Sequence, residues 1–141
     1  MLLNSKQIEN IVEEIETAIQ LSIDGKKDDS LNKLLDIWEE IPIPKQKQPE
    51  QISNWVIDCI YSEYFDQGDF CNAKKWALIA LNNDTAQYDS YEYIQMGRVC
   101  YELKEYDEAM KYFSIAYERG KKRAFQEFDK KYWEFYSKNK K

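Results

Sequence analysis

The stretch SYEYIQMGRVCYELKEYDEAMKYFSIAYERGKKR, residues 90–123, decides the fold of this chain. Tyr93, Met96, Gly97 and Cys100 recur at i, i+3, i+4 and i+7, the spacing of one face of an amphipathic helix. A glycine in a helix interior costs roughly 1 kcal/mol, so Gly97 points to close packing of a second helix and not to local propensity. After a break at Leu103-Lys104-Glu105, a second stripe follows: Tyr106, Ala109, Met110, Phe113, Ala116 and Tyr117. Gly120 closes that helix. The stretch therefore reads as two helices joined by a tight turn, with small residues where they touch.

Working outward, the same pattern recurs upstream. Phe70, Ala73, Trp76-Ala77 and Ala80-Leu81 align with Tyr106, Ala109, Tyr112-Phe113 and Ala116-Tyr117 at an offset of 36 residues. A fainter copy, Lys27, Ser30, Lys33-Leu34 and Ile37-Trp38, lies a further 43 residues back. On these residues the chain resembles the tetratricopeptide repeat family, whose unit of about 34 residues is an antiparallel helix pair with this small/large pattern. Gly97, Ala109, Phe113 and Ala116 carry the signature in the third copy, and Pro42 stands where the first copy would end. Glu14 and Thr17 depart from it, occupying the places of Tyr93 and Met96. Asn72-Ala73-Lys74-Lys75-Trp76 and the run Ala116, Gly120, Ala124 are similar to the related Sel-like repeats, and both subfamilies stay open. The resemblance implies an all-α chain of about seven helices in one domain, residues 1–141: a solenoid of antiparallel pairs at about 11–44, 54–87 and 90–123, closed by a capping helix at about 121–137.

Composition sets the outer bounds. With 141 residues, 43% hydrophobic and 33% charged, the chain is large enough to bury a core without disulfides or metal. Neither a signal-peptide core nor a membrane-length apolar run is present, which leads us to expect a cytoplasmic protein without membrane contact. Cys59, Cys71 and Cys100 are widely spaced and lie in or beside helical stripes, as packing residues do. The net charge of −6 conceals an asymmetry, since residues 1–118 carry 11 basic and 23 acidic side chains, whereas residues 119–141 carry 9 and 3. The acidic body argues against a nucleic-acid surface.

In chain order, Ile8, Ile11, Ile15 and Ala18 form one side of a first helix over residues 5–23, with Val12, Ile19 and Ile23 on an adjacent side. Gly25 ends it, and Asp28 and Asp29 open a second helix that stops before Pro42. The linker at residues 43–51 follows. Pro49 is expected in the first turn of a third helix running to Phe65, and Gln67-Gly68 repeats the turn at Gly25. The fourth helix, residues 70–81, is expected to end at Asn82-Asn83-Asp84. From Lys121 a continuous seventh helix would carry Phe125, Phe128, Tyr132, Phe135 and Tyr136, with residues 138–141 frayed.

Chemistry is sparse. The glycines at 25, 68, 97 and 120 are isolated, so there is no phosphate loop. The chain contains no histidine to activate a thiol, and the carboxylate pairs Glu13-Glu14 and Asp28-Asp29 read as solvated helix faces. We therefore expect no catalysis, no cofactor and no metal. In the tetratricopeptide family the first helix of each pair lines a ligand groove. The resemblance places Val12, Ile15 and Ile19 there in the first pair, Trp55, Asp58, Ser62, Phe65 and Asp66 in the second, and Tyr91, Ile94, Arg98, Tyr101 and Glu102 in the third. The family's carboxylate clamp would map to Ile15, Ile19, Cys59, Tyr91 and Gln95, none of which supplies its positive charge. Three readings stay open: an immunity or antitoxin protein masking a basic toxin, a small secretion or assembly chaperone, and a self-associating structural subunit. In the first two the partner is another protein with a basic surface, a toxin or a secreted client.

Overall fold

The computed structural model describes residues 1–82 and 90–140. Among these the chain is all-helical, with seven α-helices: α1 Ser5–Ile23, α2 Lys27–Glu40, α3 Ile52–Asp66, α4 Phe70–Leu81, α5 Tyr91–Glu102, α6 Tyr106–Gly120 and α7 Lys130–Asn139. Two compact units emerge, Met1–Gln67 and Gly68–Lys141. The expected end of α4 at Asn83-Asp84, and Lys141, lie outside the described residues.

In the N-terminal unit, α1 opens on a reciprocal cap. The Asn4 side chain accepts from the Gln7 amide and the Gln7 side chain accepts from the Asn4 amide, each at 2.9 Å, satisfying two donors that a helix start leaves over. The stripe Ile8, Ile11, Ile15 and Ala18 is buried, as its spacing predicts, and α2 meets it with Leu31, Leu34 and Ile37. Helix α3 packs on α2 with a smaller contact to α1, adding Val56, Ile57, Ile60 and Tyr61 to the core. Val12 and Ile19 are half-buried and Ile23 is 71% exposed, so the wide apolar surface of α1 narrows toward its C-terminus. The charge of Asp28 and Asp29 falls in the first turn of α2, where the helix dipole favours it.

The linker is tied down by a single buried amide. Gln48, 6% exposed, accepts from the Leu3 amide at 2.9 Å and donates to the carbonyls of Met1 and Pro42, each at 2.9 Å, and of Pro44 at 3.2 Å. One side chain thereby joins the N-terminus to the proline-rich segment. Pro49 does not enter α3 as expected. It starts a 3-10 turn, Pro49–Gln51, and the positive φ of Glu50 (58°) and Gln51 (53°) breaks the helical path before Ile52.

The expected turn after α1 contains Gly25 at φ +86°, and that after α3 contains Gly68 at φ +79°. Lys104, at φ 64°, takes the corresponding place between α5 and α6, so the left-handed turn residues repeat at the 43- and 36-residue offsets of the sequence pattern. At the first and third turns the closing bond runs five residues back, from Lys26 N to Leu21 O at 2.8 Å and from Glu105 N to Cys100 O at 2.9 Å.

In the C-terminal unit α5 lies against both α4 and α6. Ala73, Trp76 and Ala77 of α4, Ile94, Met96, Val99 and Cys100 of α5, and Ala109, Phe113 and Ala116 of α6 are buried. At Gly97 α5 lies tight against α6: a Cβ built on it would stand 2.4 Å from Cδ1 and Cε1 of Phe113. The expected continuous capping helix is instead interrupted. Residues Lys121–Phe125 form a 3-10 turn, and α7 begins anew at Lys130, where Asp129 caps it by accepting from the Lys131 amide at 3.0 Å. Helix α7 reaches Asn139, so Lys138 and Asn139 are helical and not frayed.

Two outcomes follow for this unit. Gly97→Ala should force the Phe113 ring aside and cost about 1 to 3 kcal/mol, read as a lowered melting temperature. An unchanged melt would place the helix contact elsewhere. Truncation after Gly120 removes Phe125, Tyr132 and Tyr136, all buried. It should yield a protein that binds hydrophobic dye and loses its near-ultraviolet dichroism, whereas a sharp melt and no dye binding would show the cap to be dispensable.

Candidate functional site

Helix α3 presents Trp55, Asp58, Ser62, Phe65 and Asp66 along one strip, because these positions recur at three- and four-residue intervals while Val56, Ile57 and Ile60 turn into the core. Trp55, Asp58, Ser62 and Phe65 are half-buried and Asp66 is exposed. The Phe65 ring stacks on Tyr61, with centroids 5.6 Å apart and planes at 27°. The strip thus combines two half-buried rings with one half-buried and one exposed carboxylate. In the first helix pair Ile15 is fully buried, leaving Val12 and Ile19 half-exposed.

The face expected from the third pair is built differently. Ile94 is 1% exposed and belongs to the core, a correction with a simple cause: α5 has α4 on one side and α6 on the other, so two of its faces are buried. The remaining four residues are met by the chain's own C-terminal segment. Tyr91, 37% exposed, lies 6.3 Å from Phe128 between centroids. The Arg98 guanidinium sits 4.6 Å above the Phe128 ring and 5.3 Å from that of Tyr132, and its Nη1 donates to Gln95 Oε1 at 2.5 Å. Gln95 in turn donates to the Tyr91 hydroxyl at 2.8 Å.

Tyr101 meets Tyr132 and Phe135 edge-on, at 5.4 and 5.1 Å. Glu102 accepts from Lys131 Nζ at 2.5 Å and from the Tyr132 hydroxyl at 3.4 Å. The hydrogen bond to Glu102 holds the Lys131 ammonium above its ordinary pKa, and burial raises that of Tyr132 against the opposing pull of Arg98. Sequence reasoning singled out Tyr91, Arg98, Tyr101 and Glu102 and, separately, the aromatic stripe from Phe125 to Tyr136, but not that the second covers the first. The complementary signal was present in the aromatic residues Phe128, Tyr132 and Phe135 and in Lys131, opposite the acid at Glu102.

The carboxylates and thiols are placed as follows. Glu14 does not act with Glu13; it hydrogen-bonds Glu40 on α2, whose pKa is raised by burial and then by Glu14. Burial, followed by Asp58 and Glu63, pushes the Cys59 thiol up to about 12. Cys100, fully buried, is pushed up to about 11 by burial, with Lys74 opposing and Glu105 and Glu108 adding to the rise. Both are neutral thiols at physiological pH, whereas Cys71 is exposed. Among the described residues no group of three or more potential metal ligands is arranged to hold an ion, and no helix is long and apolar enough to cross a membrane.

Comparison of the chain with protein-family models, with curated proteins and with solved structures found no match in any of the three.

The thiols supply a pH test. A thiol in the unfolded chain ionises near about 8.5, so the raised values of Cys59 and Cys100 favour the folded state below that pH. This contribution is lost as pH climbs from about 9 through the folded values of about 11 and 12. Iodoacetamide at pH 8 should therefore add once per native chain, at Cys71, and three times in denaturant, as counted by mass spectrometry. Rapid addition to Cys59 or Cys100 in the native protein would contradict the burial described.

Proposed function

We propose that the chain is a degenerate helix-pair repeat protein of the tetratricopeptide kind that acts without catalysis, by binding another protein. The observation that carries this reading is the α3 strip, where Trp55 and Phe65 stand beside Asp58 and Asp66 on one helix face. Residues 91–102 support it less directly, because Tyr91, Arg98, Tyr101 and Glu102 are engaged by residues 128–135. The strip of α3 is accordingly the favoured contact surface.

The partner in this reading presents a basic surface. With 23 acidic against 11 basic side chains in residues 1–118, the body of the chain attracts cationic proteins over distances set by salt screening, about 8 Å at physiological ionic strength. A toxin that grips nucleic acid needs such a cationic surface. An acidic helix strip covering it would occupy the phosphate-binding positions and block substrate entry, the action of a cytoplasmic immunity or antitoxin protein. Aromatic anchors would supply the lifetime of the complex and carboxylates its speed of formation.

A pull-down followed by mass spectrometry supplies the partner, and kinetics on variants test the reading. Asp58→Lys with Asp66→Lys should slow association and flatten its salt dependence. Trp55→Ala should speed dissociation and weaken binding by about 2 kcal/mol or more. Melting curves on the same variants separate this from packing, for a Trp55 that serves only the core lowers the melting temperature while the folded fraction binds with unchanged affinity. An affinity indifferent to salt and to both charge reversals rules out the acidic surface.

A further inference from the structure

The C-terminal segment has a second side, and on it lies a cleft of about 490 Å³. Phe125, Phe128 and Trp133 form its apolar wall, while Lys122, Arg123 and Lys130 stand around it with Glu134. All three cations are exposed, and among the described residues none of them has a carboxylate within ion-pairing distance. Other lysines of the same unit are matched: Lys74 pairs with Glu105 at 2.7 Å and Lys131 with Glu102 at 2.5 Å. Three cations without a carboxylate partner beside an apolar wall, one of them Lys122 at 5.5 Å from the Trp133 centroid, are a binding arrangement that the ion pairs of the unit do not account for.

The rings narrow the ligand class. Trp133 is stacked on Tyr117 at 6.0 Å and 28°, with Lys122 and Lys140 at 5.5 and 5.8 Å from its centroid. Phe125 is stacked on Tyr136 at 5.5 Å and 16°, and Phe128 carries the Arg98 guanidinium at 4.6 Å. A platform for nucleobases needs open ring faces, and each of these rings already has one face engaged. Ring edges, by contrast, carry partial positive charge and accept both apolar side chains and carboxylates. Glu134 in the wall also opposes a continuous run of phosphates, while leaving room for separated carboxylates to reach Arg123 and Lys130.

We propose that this cleft binds an acidic peptide segment of a partner protein, an apolar side chain lying against the wall and flanking carboxylates on Lys122, Arg123 and Lys130. The surface is opposite in sign to the α3 strip and made of different residues, so it stands or falls independently of the basic-partner reading. With both surfaces the chain would join one basic and one acidic element.

The test uses a fluorescein-labelled decapeptide of Glu and Asp with a central Phe-Leu pair, titrated with the full-length protein and followed by anisotropy. Saturable binding that weakens as salt rises is expected, and Arg123→Glu with Lys130→Glu should reduce affinity about tenfold or more. Lys6→Glu with Lys26→Glu, which makes the same change in net charge on exposed residues of the N-terminal unit, should leave it unchanged. Melting curves establish that both double variants are folded. Four results would overturn the proposal: no saturable binding, equal loss in both double variants, equal affinity for a peptide with Ser-Ser in place of Phe-Leu, or tighter binding of a decameric oligouridylate than of the peptide.

Discussion

Phe113 sits at the point on which the C-terminal unit depends. On one side its ring fills the space left by the missing Cβ of Gly97, which sets how closely α5 and α6 approach. On the other it is surrounded by Phe125, Tyr132, Phe135 and Tyr136, with centroids 5.3 to 6.5 Å away. The contact between helices and the seat of the C-terminal cap are therefore the same ring seen from two directions. Because cores are close-packed and transmit strain, any change that rotates Phe113 is felt at both, and perturbations at Gly97 and in the cap are expected to be non-additive.

The basic tail is in large part structural. Lys131 is bound to Glu102, Lys121 and Lys140 lie 5.4 and 4.6 Å from the Tyr117 ring, and Lys122 lies 5.5 Å from that of Trp133. Such contacts at exposed sites contribute about 0.5 to 1 kcal/mol each, and they let a cationic segment lie over aromatic surface without losing its hydration. Charge and packing thus work together in the cap. The same logic explains why a run that reads as a free basic arm by charge alone behaves as a lid by its aromatics.

The N-terminal unit uses a polar device for a comparable purpose. The proline-rich segment cannot supply a regular ladder of backbone bonds, since prolines lack the donor. The buried Gln48 amide replaces them, accepting from one backbone amide and donating to three backbone carbonyls across a separation of up to 47 residues. A buried amide so bonded avoids the penalty of burial and makes the linker conformation specific.

The sequence by itself determined the all-helical character, the turns after α1 and α3 and the inward stripes of α1 and α6. The Ile8, Ile11, Ile15, Ala18 face, the Ala109, Phe113, Ala116 face and the turn positions at Gly25 and Gly68 are local patterns, written in the 3.6-residue period and in the conformational freedom of glycine. Asp129 also carried a legible signal for a helix start, overshadowed by the unbroken aromatic period that favoured one long helix. What only the tertiary structure decided is how many neighbours each helix has. Periodicity marks an apolar face but does not say whether a second face is covered as well. Ile94 is therefore core although its position reads as groove, and Tyr91, Arg98, Tyr101 and Glu102 meet residues 128–135 and not open solvent. The physical reason is that helix formation depends on residues three and four apart, whereas the covering of an outer face depends on segments some thirty residues away, such as the 29 that separate Glu102 from Lys131.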